Sequence, residues 1–372
     1  MATLAAPNPW LDHYYATPQT LVKIGRRRRL NLLIAGEGAP TVIFAPGLNG
    51  ATVHWARVQH AVALRTRTVA FDKAGIGFSD PGPMPRTASA IVEDLRAALL
   101  AAGFGPPYLL VGHSAGGLQM RLFAFLYPQE VVGMVMVDSS SEHQDRRIDA
   151  ARSDRGNETQ RRELLRTYSR LTRLARAGAL TPGTPDYDRA VGGASPTLTP
   201  ALYAAHVAQR TSPGFWRALR SESAAAGGAS SDQVAAARRP LGETPLGDMP
   251  LIVLTAGKNL LPRPGETLAA AEARHEIWRF MHDEIAALST RGERRTVADA
   301  GHAIQVEKPE VVIAAIEEAL ALAPRAAISV HARERSPLST EDMEEEENTE
   351  RKGERFAPLN SPCRGSAAPK AQ

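Results

Sequence analysis

The chain has 372 residues and a formal net charge of +4, with 44 Lys and Arg against 40 Asp and Glu; that length accommodates a core domain of about 250–300 residues plus additions. The near balance of charge speaks against a nucleic-acid binder, and no run of eighteen apolar residues offers a membrane span. The start, Met1 to Trp10, lacks the basic-then-apolar pattern of a secretory leader, and the single cysteine, Cys363, rules out an intramolecular disulfide or a cysteine-metal cluster, so a cytoplasmic location is expected.

Residues 1–20 are rich in Pro and Tyr and read as an irregular arm. Leu21–Ile24 and Leu30–Ala35 form a hairpin pattern around Gly25, with Arg26 to Arg29 as its solvated tip. Thr41–Ala45 is a short apolar strand closed by Pro46-Gly47, and a helix is expected from His54 to Leu64. Thr68–Phe71 is the next strand, ending at Asp72. Ser89 to Ala102 reads as a helix capped by Ser89, with Ile91, Leu95 and Leu99 on one face. The strand Tyr108–Val111 and the helix Ala115–Tyr127 follow, then the strand Val132–Val137, ending at Asp138. Short all-apolar strands alternating with helices predict a mostly parallel sheet with helices on both faces.

The rhythm breaks after Ser139 and resumes with strand Leu251–Ala256, helix 266–289, strand Arg294–Ala298 and helix Pro309–Leu322. The expected organisation is an arm at 1–20, an α/β core at 21–140 and 248–323, and a helical cap insertion at 141–247. Such an insertion would cover the carboxyl ends of the strands, where open α/β sheets bind ligands. The segment 325–372 carries the acidic run Glu341 to Glu347 and is expected to be a disordered tail.

The most informative segment is Gly112-His113-Ser114-Ala115-Gly116, between an apolar strand and a helix. Strand, sharp turn and helix around Gly-x-Ser-x-Gly make a nucleophile elbow, with Ser114 at the helix N-terminus. Gly112 and Gly116 are expected because a Cβ at either would meet the opposite arm of the turn. A serine nucleophile needs a base, and His302 fits best, because it follows the last strand and precedes a helix. His113 flanks the nucleophile but points away from its hydroxyl. His275 and His282 lie inside a predicted helix as surface or packing residues, His206 falls in the insertion, and His54 is placed to line the pocket. An oxyanion hole needs two backbone N–H groups; Ala115, after the nucleophile, and Leu48, in the loop Pro46 to Gly50, are the expected donors.

These segments, with Asp72-Lys73-Ala74-Gly75-Ile76-Gly77-Phe78-Ser79-Asp80, Val135-Met136-Val137-Asp138 and Gly301-His302, resemble the α/β-hydrolase superfamily over residues 22–140 and 248–323. The loop 72–80 reads as a brace for the elbow. Two departures from the pattern matter. Pro46-Gly47 stands where many relatives carry His-Gly, which a backbone donor tolerates. The loop Gly257 to Pro262 lacks the aspartate that many relatives place there, and Glu266, the first acid beyond it, stands at a helix start. Asp138 occupies the other position used for the acid in this superfamily and keeps the chain order Ser114, Asp138, His302. Glu142, Asp145 and Asp283 are the alternatives, as is an amide at Asn259 orienting the imidazole.

The resemblance implies a serine hydrolase acting on carboxylic esters through an acyl-enzyme on Ser114. An amidase or peptidase, a thioesterase and a lyase of the same fold are open alternatives. The rival from another class is a non-catalytic protein that binds a small molecule in the hydrolase pocket. Neither a metal nor an organic cofactor is implied, since the chain lacks His-x-x-x-His and a dinucleotide fingerprint. The expected partner is a small-molecule ester, and the oligomeric state is not written in the sequence. Trp55, Tyr203, Phe215 and Trp216 are candidate apolar liners of the pocket, with core packing as the reading to prefer for each.

Overall fold

The computed structural model describes residues 6, 8–152, 156–192, 198–258 and 266–324. The tail from 325, with Cys363, and Asn259 lie outside them. Asn8 accepts a hydrogen bond from the Leu11 amide at 3.1 Å, and Pro9 stands at the first helical position, so a short helix α1 (Pro9–Tyr15) forms where an irregular arm was expected. The hairpin is β1 (Thr20–Ile24) and β2 (Arg28–Ala35). Arg28 and Arg29 therefore belong to a strand rather than a solvated tip. They pair with Asp94 at 2.7 Å and Asp80 at 3.0 Å.

Beyond β3 (Thr41–Ala45) the expected helix from His54 splits into a 3₁₀ turn, Thr52–Trp55, and α2 (Ala56–Val62). After β4 (Thr68–Phe71) comes α3 (Ala88–Ala101), capped by Thr87 rather than Ser89, with the Thr87 hydroxyl accepting from the Ala90 amide. Thr87 has the extended backbone a cap requires, whereas Ser89 is already helical. Next are β5 (Tyr108–His113), α4 (Ala115–Leu126) and β6 (Val131–Val137). Between β6 and the next strand run α5 (Gln144–Arg152), α6 (Gly156–Arg176), α7 (Pro185–Val191), α8 (Pro200–Arg210), α9 (Pro213–Ala226) and α10 (Ala229–Arg238). The chain then adds β7 (Leu251–Ala256), α11 (Leu268–Ala286), β8 (Gly292–Val297), α12 (Ile304–Glu307) and α13 (Pro309–Leu322).

The strands form one sheet in the order β1-β2-β4-β3-β5-β6-β7-β8. β1, β2 and β4 pair antiparallel, and every pairing from β4 to β8 is parallel. Side chains alternate across a strand, so each central strand feeds two cores. Ile43, Leu110, Met134 and Val253 face one, which α3 and α4 close with Ile91, Leu95, Leu122 and Phe123. Val42, Val111, Val135 and Leu254 face the other, closed by Val58 of α2 and Val312 and Ile316 of α13. Each such side chain, fully withdrawn from water, stabilises the fold by about 1.5–3 kcal/mol. The insertion helices keep a separate small core, in which Leu171, Trp216 and Leu219 meet Ile76 from the loop after β4. No described helix is long and apolar enough to cross a membrane.

The parallel strands share one direction, so their carboxyl ends lie along one edge. The residues at the ends of β3, β5 and β6 are delivered there side by side.

Candidate active site

Ser114 follows β5 directly and adopts φ 52°, ψ −124°, a conformation that a side chain rarely takes. Close approach enforces the turn. A Cβ on Gly112 would sit 2.6 Å from the Gly117 Cα, across the turn as expected. A Cβ on Gly116 would meet the carbonyl oxygen of Ala45 at 2.4 Å, so that glycine makes room for the end of β3 and not for the opposite arm. Gly117 makes room in turn for Ser139, at 2.1 Å from its Oγ. The Ser114 amide donates to Val137 O at 3.1 Å, and its carbonyl accepts from the amides of Gly117 and Ser140, each at 2.9 Å. The nucleophile candidate is thereby fixed to both neighbouring segments.

The structure brings Ser114, His302 and Asp138 into one hydrogen-bonded chain. His302 Nδ1 lies 2.6 Å from Asp138 Oδ2 and its Nε2 lies 3.0 Å from Ser114 Oγ. The carboxylate accepts from Nδ1–H, which leaves the Nε2 lone pair to accept from the Ser114 hydroxyl. Asp138 is fully buried, and its other oxygen accepts from the Ala256 amide at 3.0 Å and the Trp278 indole N–H at 2.9 Å. Burial alone would raise its pKa. The hydrogen bond from His302 and the neighbouring imidazoles outweigh burial and bring it down to about 2.

His113 points away from Ser114 Oγ, as expected. Its Nε2–H donates to His302 O at 2.9 Å and its ring lies 4.7 Å from that of His302. Burial, followed by the proximity of His302, lowers its pKa to about 3. A neutral His113 matters chemically, because a cation there would oppose protonation of His302. His282, whose pKa burial also lowers, bridges Thr255 Oγ1 at 2.8 Å and Ser139 O at 2.9 Å. It and His275 are buried packing residues. The other carboxylates weighed for the acid are engaged elsewhere: Glu142 with Arg121, Asp145 with Arg161, Asp283 with Arg294 and Glu266 with Arg274.

Ser114 opens onto a cavity of about 430 Å³. Leu48, Ala115 and Leu118 contribute the core side, and Gln144, Arg161, Leu164 and Ser223 contribute the insertion side. Ala115 is the first residue of α4, so its N–H has no helical carbonyl to bond. Trp55, Tyr203, Phe215 and Trp216 do not line this cavity. Trp55 packs on Phe44 in the core, and Phe215 and Trp216 fill the small core of the insertion, where Tyr203 packs beside them. Large aromatics went where most area could be buried rather than to the ligand. Phe215 borders a second cavity of about 100 Å³ with His54 and His206. A groove of about 520 Å³ beside Glu142 holds none of Ser114, His302 or Asp138.

The sequence reading passed over Trp278. It lies one turn before His282 on α11, a spacing that places both on one helix face, and that periodicity was the available signal. It also treated the loop 72–80 only as a brace. Asp72 ties its own loop to β2 and to the turn after β3, accepting from the amides of Thr52 and Phe78 and from the Asn31 side chain. Among the described residues, no group of three or more His, Cys, Asp or Glu side chains is arranged to hold a metal ion.

A family model described as the alpha/beta hydrolase fold matches residues 40–309. A Gibberella zeae protein named as an AB hydrolase superfamily protein is 32% identical over 152 residues, 37% of this chain and 47% of that protein. The chain thus aligns with less than half the length of that relative. Among solved structures, a mutant of a Pseudomonas aeruginosa protein, provisionally assigned as an epoxide hydrolase, superposes with a TM-score of 0.60 at 20% identity, over 83% of this chain and 97% of that one. A thermophilic esterase of Thermogutta terrifontis superposes with a TM-score of 0.52 at 18% identity, over 82% and 98%. At such identities these likenesses concern the fold.

Proposed function

The chain belongs to the alpha/beta hydrolase fold family, and from that premise we propose that it is a serine hydrolase cleaving carboxylic esters through an acyl-enzyme on Ser114. The observation that carries this reading is the hydrogen-bonded chain Ser114–His302–Asp138, at 3.0 and 2.6 Å. His302 Nε2 takes the hydroxyl proton as Ser114 Oγ attacks the acyl carbon. Asp138 holds the imidazole in the required tautomer and stabilises the imidazolium that forms. The Leu48 and Ala115 N–H groups receive the carbonyl oxygen as it becomes an oxyanion. Collapse of the tetrahedral intermediate expels the alkoxide, which leaves with the proton from His302. A water deprotonated by His302 then attacks the acyl-enzyme and releases the acid. Helices α5 to α10 act as the cap over this reaction.

The serine at the elbow separates this reading from epoxide opening through a carboxylate nucleophile, because Ser114 bears none. The alternative of a binding protein rested on the missing acid at 257–262, and Asp138 already meets that need. The lining offers polar partners to an acyl group that carries a polar end. Ser223 Oγ is buried in the wall of the cavity that holds Ser114, without a hydrogen-bond partner among the described residues, and Arg161 borders the same cavity.

An activated fluorophosphonate tests the reading. Wild type is expected to be labelled and Ser114→Ala is not. A folded wild type that resists labelling, or labelling that survives Ser114→Ala, overturns it. Turnover of p-nitrophenyl esters of graded chain length and of a dicarboxylic half-ester, beside amides and thioesters, then sets the substrate class.

A further inference from the structure

Outside the Ser114–His302–Asp138 chain, the structure holds a buried charge pair that catalysis as described above does not use. Lys73, just after β4, is 2% exposed, and Glu222, on the insertion helix α9, is 4% exposed. Lys73 Nζ donates to Glu222 Oε1 at 2.5 Å and to the carbonyl oxygen of Gly47 at 2.9 Å. Gln119 of α4 donates to the same Glu222 oxygen at 2.9 Å. Burying two ions is unfavourable, and apolar residues of equal volume are often as stabilising. Stability alone therefore gives no reason to keep the pair.

The Gly47 carbonyl supplies one. It accepts twice, from Lys73 and from the Gly50 amide at 3.0 Å. Gly47–Leu48 is not among the cis peptides, which are all at prolines. In a trans peptide the carbonyl and the following N–H point in opposite directions. Two donors on Gly47 O therefore turn Leu48 N–H away from Lys73. Gly47 itself is pressed against the elbow, where a Cβ would lie 3.0 Å from Ser114 Cβ and 2.8 Å from His113 Nδ1. Leu48 and Ser114 border the same cavity.

We propose that Lys73 is a positioning residue for the oxyanion hole, holding the Gly47–Leu48 peptide so that Leu48 N–H faces the oxygen charged by attack of Ser114, with Glu222 holding Lys73 in place. The inference rests on the serine-hydrolase reading. A cation on the carbonyl also polarises the peptide and strengthens the N–H as a donor. Because Glu222 comes from the insertion, the position of α9 is wired to the oxyanion hole, and a cap that shifts disarms it.

The test uses the full chain. Lys73→Met/Glu222→Gln removes both charges together, so that neither is left buried alone. The readouts are the rate of fluorophosphonate labelling, kcat and KM for one p-nitrophenyl ester, affinity for a trifluoromethyl ketone, and the melting curve. Losing a whole oxyanion donor lowers kcat about 10²–10³-fold, so a misdirected one should lower labelling and kcat about 10–100-fold. Affinity for the ketone should fall by a similar factor, while KM stays within about threefold. Lys73→Arg, which can still donate to Gly47 O, should recover most of the loss. Glu222→Gln alone, which leaves the lysine loosely held, should show a smaller loss in kcat; it serves if the double variant does not fold. Wild-type kcat and labelling in a folded variant overturn the inference. So does a loss confined to KM and melting temperature. A wild type that is not labelled sinks the hydrolase reading itself, whereas a labelled wild type beside indifferent variants sinks this inference only.

Discussion

Asp138→Asn is informative because the structure dictates which way the amide must turn. Among the contacts of the described residues, Asp138 Oδ1 accepts from the Ala256 amide and Trp278 Nε1–H, and Oδ2 accepts from His302 Nδ1–H. Asparagine has a single acceptor. With its oxygen on the Oδ1 side, both fixed donors are satisfied and the NH₂ faces His302. The reverse orientation sets NH₂ against two N–H groups that cannot move their protons. His302 can move its own, from Nδ1 to Nε2, so the first orientation wins. The Nε2–H then faces Ser114 Oγ at 3.0 Å and no lone pair remains to accept the hydroxyl proton. The same replacement in serine proteases lowers kcat by about 10⁴, roughly 5.5 kcal/mol of barrier. We expect a loss of that size for a p-nitrophenyl ester between pH 6 and 9, with the circular dichroism of the wild type retained. Adding Trp278→Phe removes one of the two donors that hold the amide. At about 1–2 kcal/mol per unmet donor, it should restore about tenfold. A kcat for Asp138→Asn within tenfold of wild type would refute the assignment of Asp138. If the double variant gains nothing, the orientation argument fails and only the role of the charge survives.

Trp278→Phe alone keeps the ring but removes a donor to the carboxylate. The ¹³C titration of Asp138 should move up from about 2 toward its ordinary 3.8, with kcat at neutral pH falling only about 3–10-fold, since the group stays ionised. Because its pKa is depressed, the stability Asp138 contributes is complete above about pH 4 and is lost as pH falls toward 2; a titration near 2 in the variant would show that Trp278 does not hold the charge. For His113, held at about 3 against an ordinary 6.5, the unfolded chain takes up a proton that the fold refuses. Its contribution is complete above pH 6.5 and falls by about 1.4 kcal/mol per pH unit as pH drops toward 3. Urea midpoints of wild type and His113→Asn should therefore draw together by about 1–2 kcal/mol between pH 7.5 and 5, and a constant gap would contradict this. Gly116→Ala meets backbone at 2.4 Å and should cost about 3 kcal/mol or more, or abolish folding. Gly25→Ala meets nothing within 4 Å and, at φ 68°, should cost only about 1–2 kcal/mol. Equal melting temperatures for the two variants would refute the close-approach argument.

The sheet was legible because β3, β4, β5, β6 and β7 are buried on both faces and their sequences are mostly apolar, with polar residues only at or near strand ends. Ser114 was legible because its turn needs glycines at fixed offsets. His302 was legible by its place after the last strand. Asp138 emerged from the resemblance to the α/β-hydrolase superfamily, which uses that position for the acid, together with the lack of a carboxylate in the other loop such relatives use. Contacts made across long sequence separations were not legible. Trp278 reaches Asp138 over 140 residues and Glu222 reaches Lys73 over 149; helix periodicity gives the face of Trp278 but not its partner, and nothing local gives the partner of Glu222. The Pro and Tyr content of residues 1–20 reads as an irregular arm, whereas Asn8 as cap and Pro9 at the first helical position start a helix there. The four aromatics failed as pocket markers because residue size predicts burial far better than it predicts contact with a ligand.

Backbone strain is distributed unevenly in a way that bears on the site. Asn49, Ser114 and Asp138 have φ of 63°, 52° and 40°, and each follows the carboxyl end of β3, β5 or β6, three consecutive strands of the sheet. Such conformations cost about 1–3 kcal/mol each and persist only where the surroundings leave no alternative. Here the ladder supplies that constraint. The Ser114 amide is bound to Val137 O, and the Asp138 amide to Leu254 O at 2.8 Å, one register beyond the regular pairing. Ser114 and Asp138, the proposed nucleophile and acid, are thus tied by their amides to the central strands of the sheet. His302 comes from the loop after β8, and its side chain is 48% exposed; in the proposed mechanism it takes a proton from Ser114 and passes it to the leaving alkoxide. What restrains it is local: Asp138 on its ring and His113 on its carbonyl. His113 precedes Ser114 directly, so the elbow that presents the nucleophile also fixes the backbone of its base. The distance between Ser114 Oγ and His302 Nε2 is therefore set by one turn and two hydrogen bonds rather than by the packing of two distant segments.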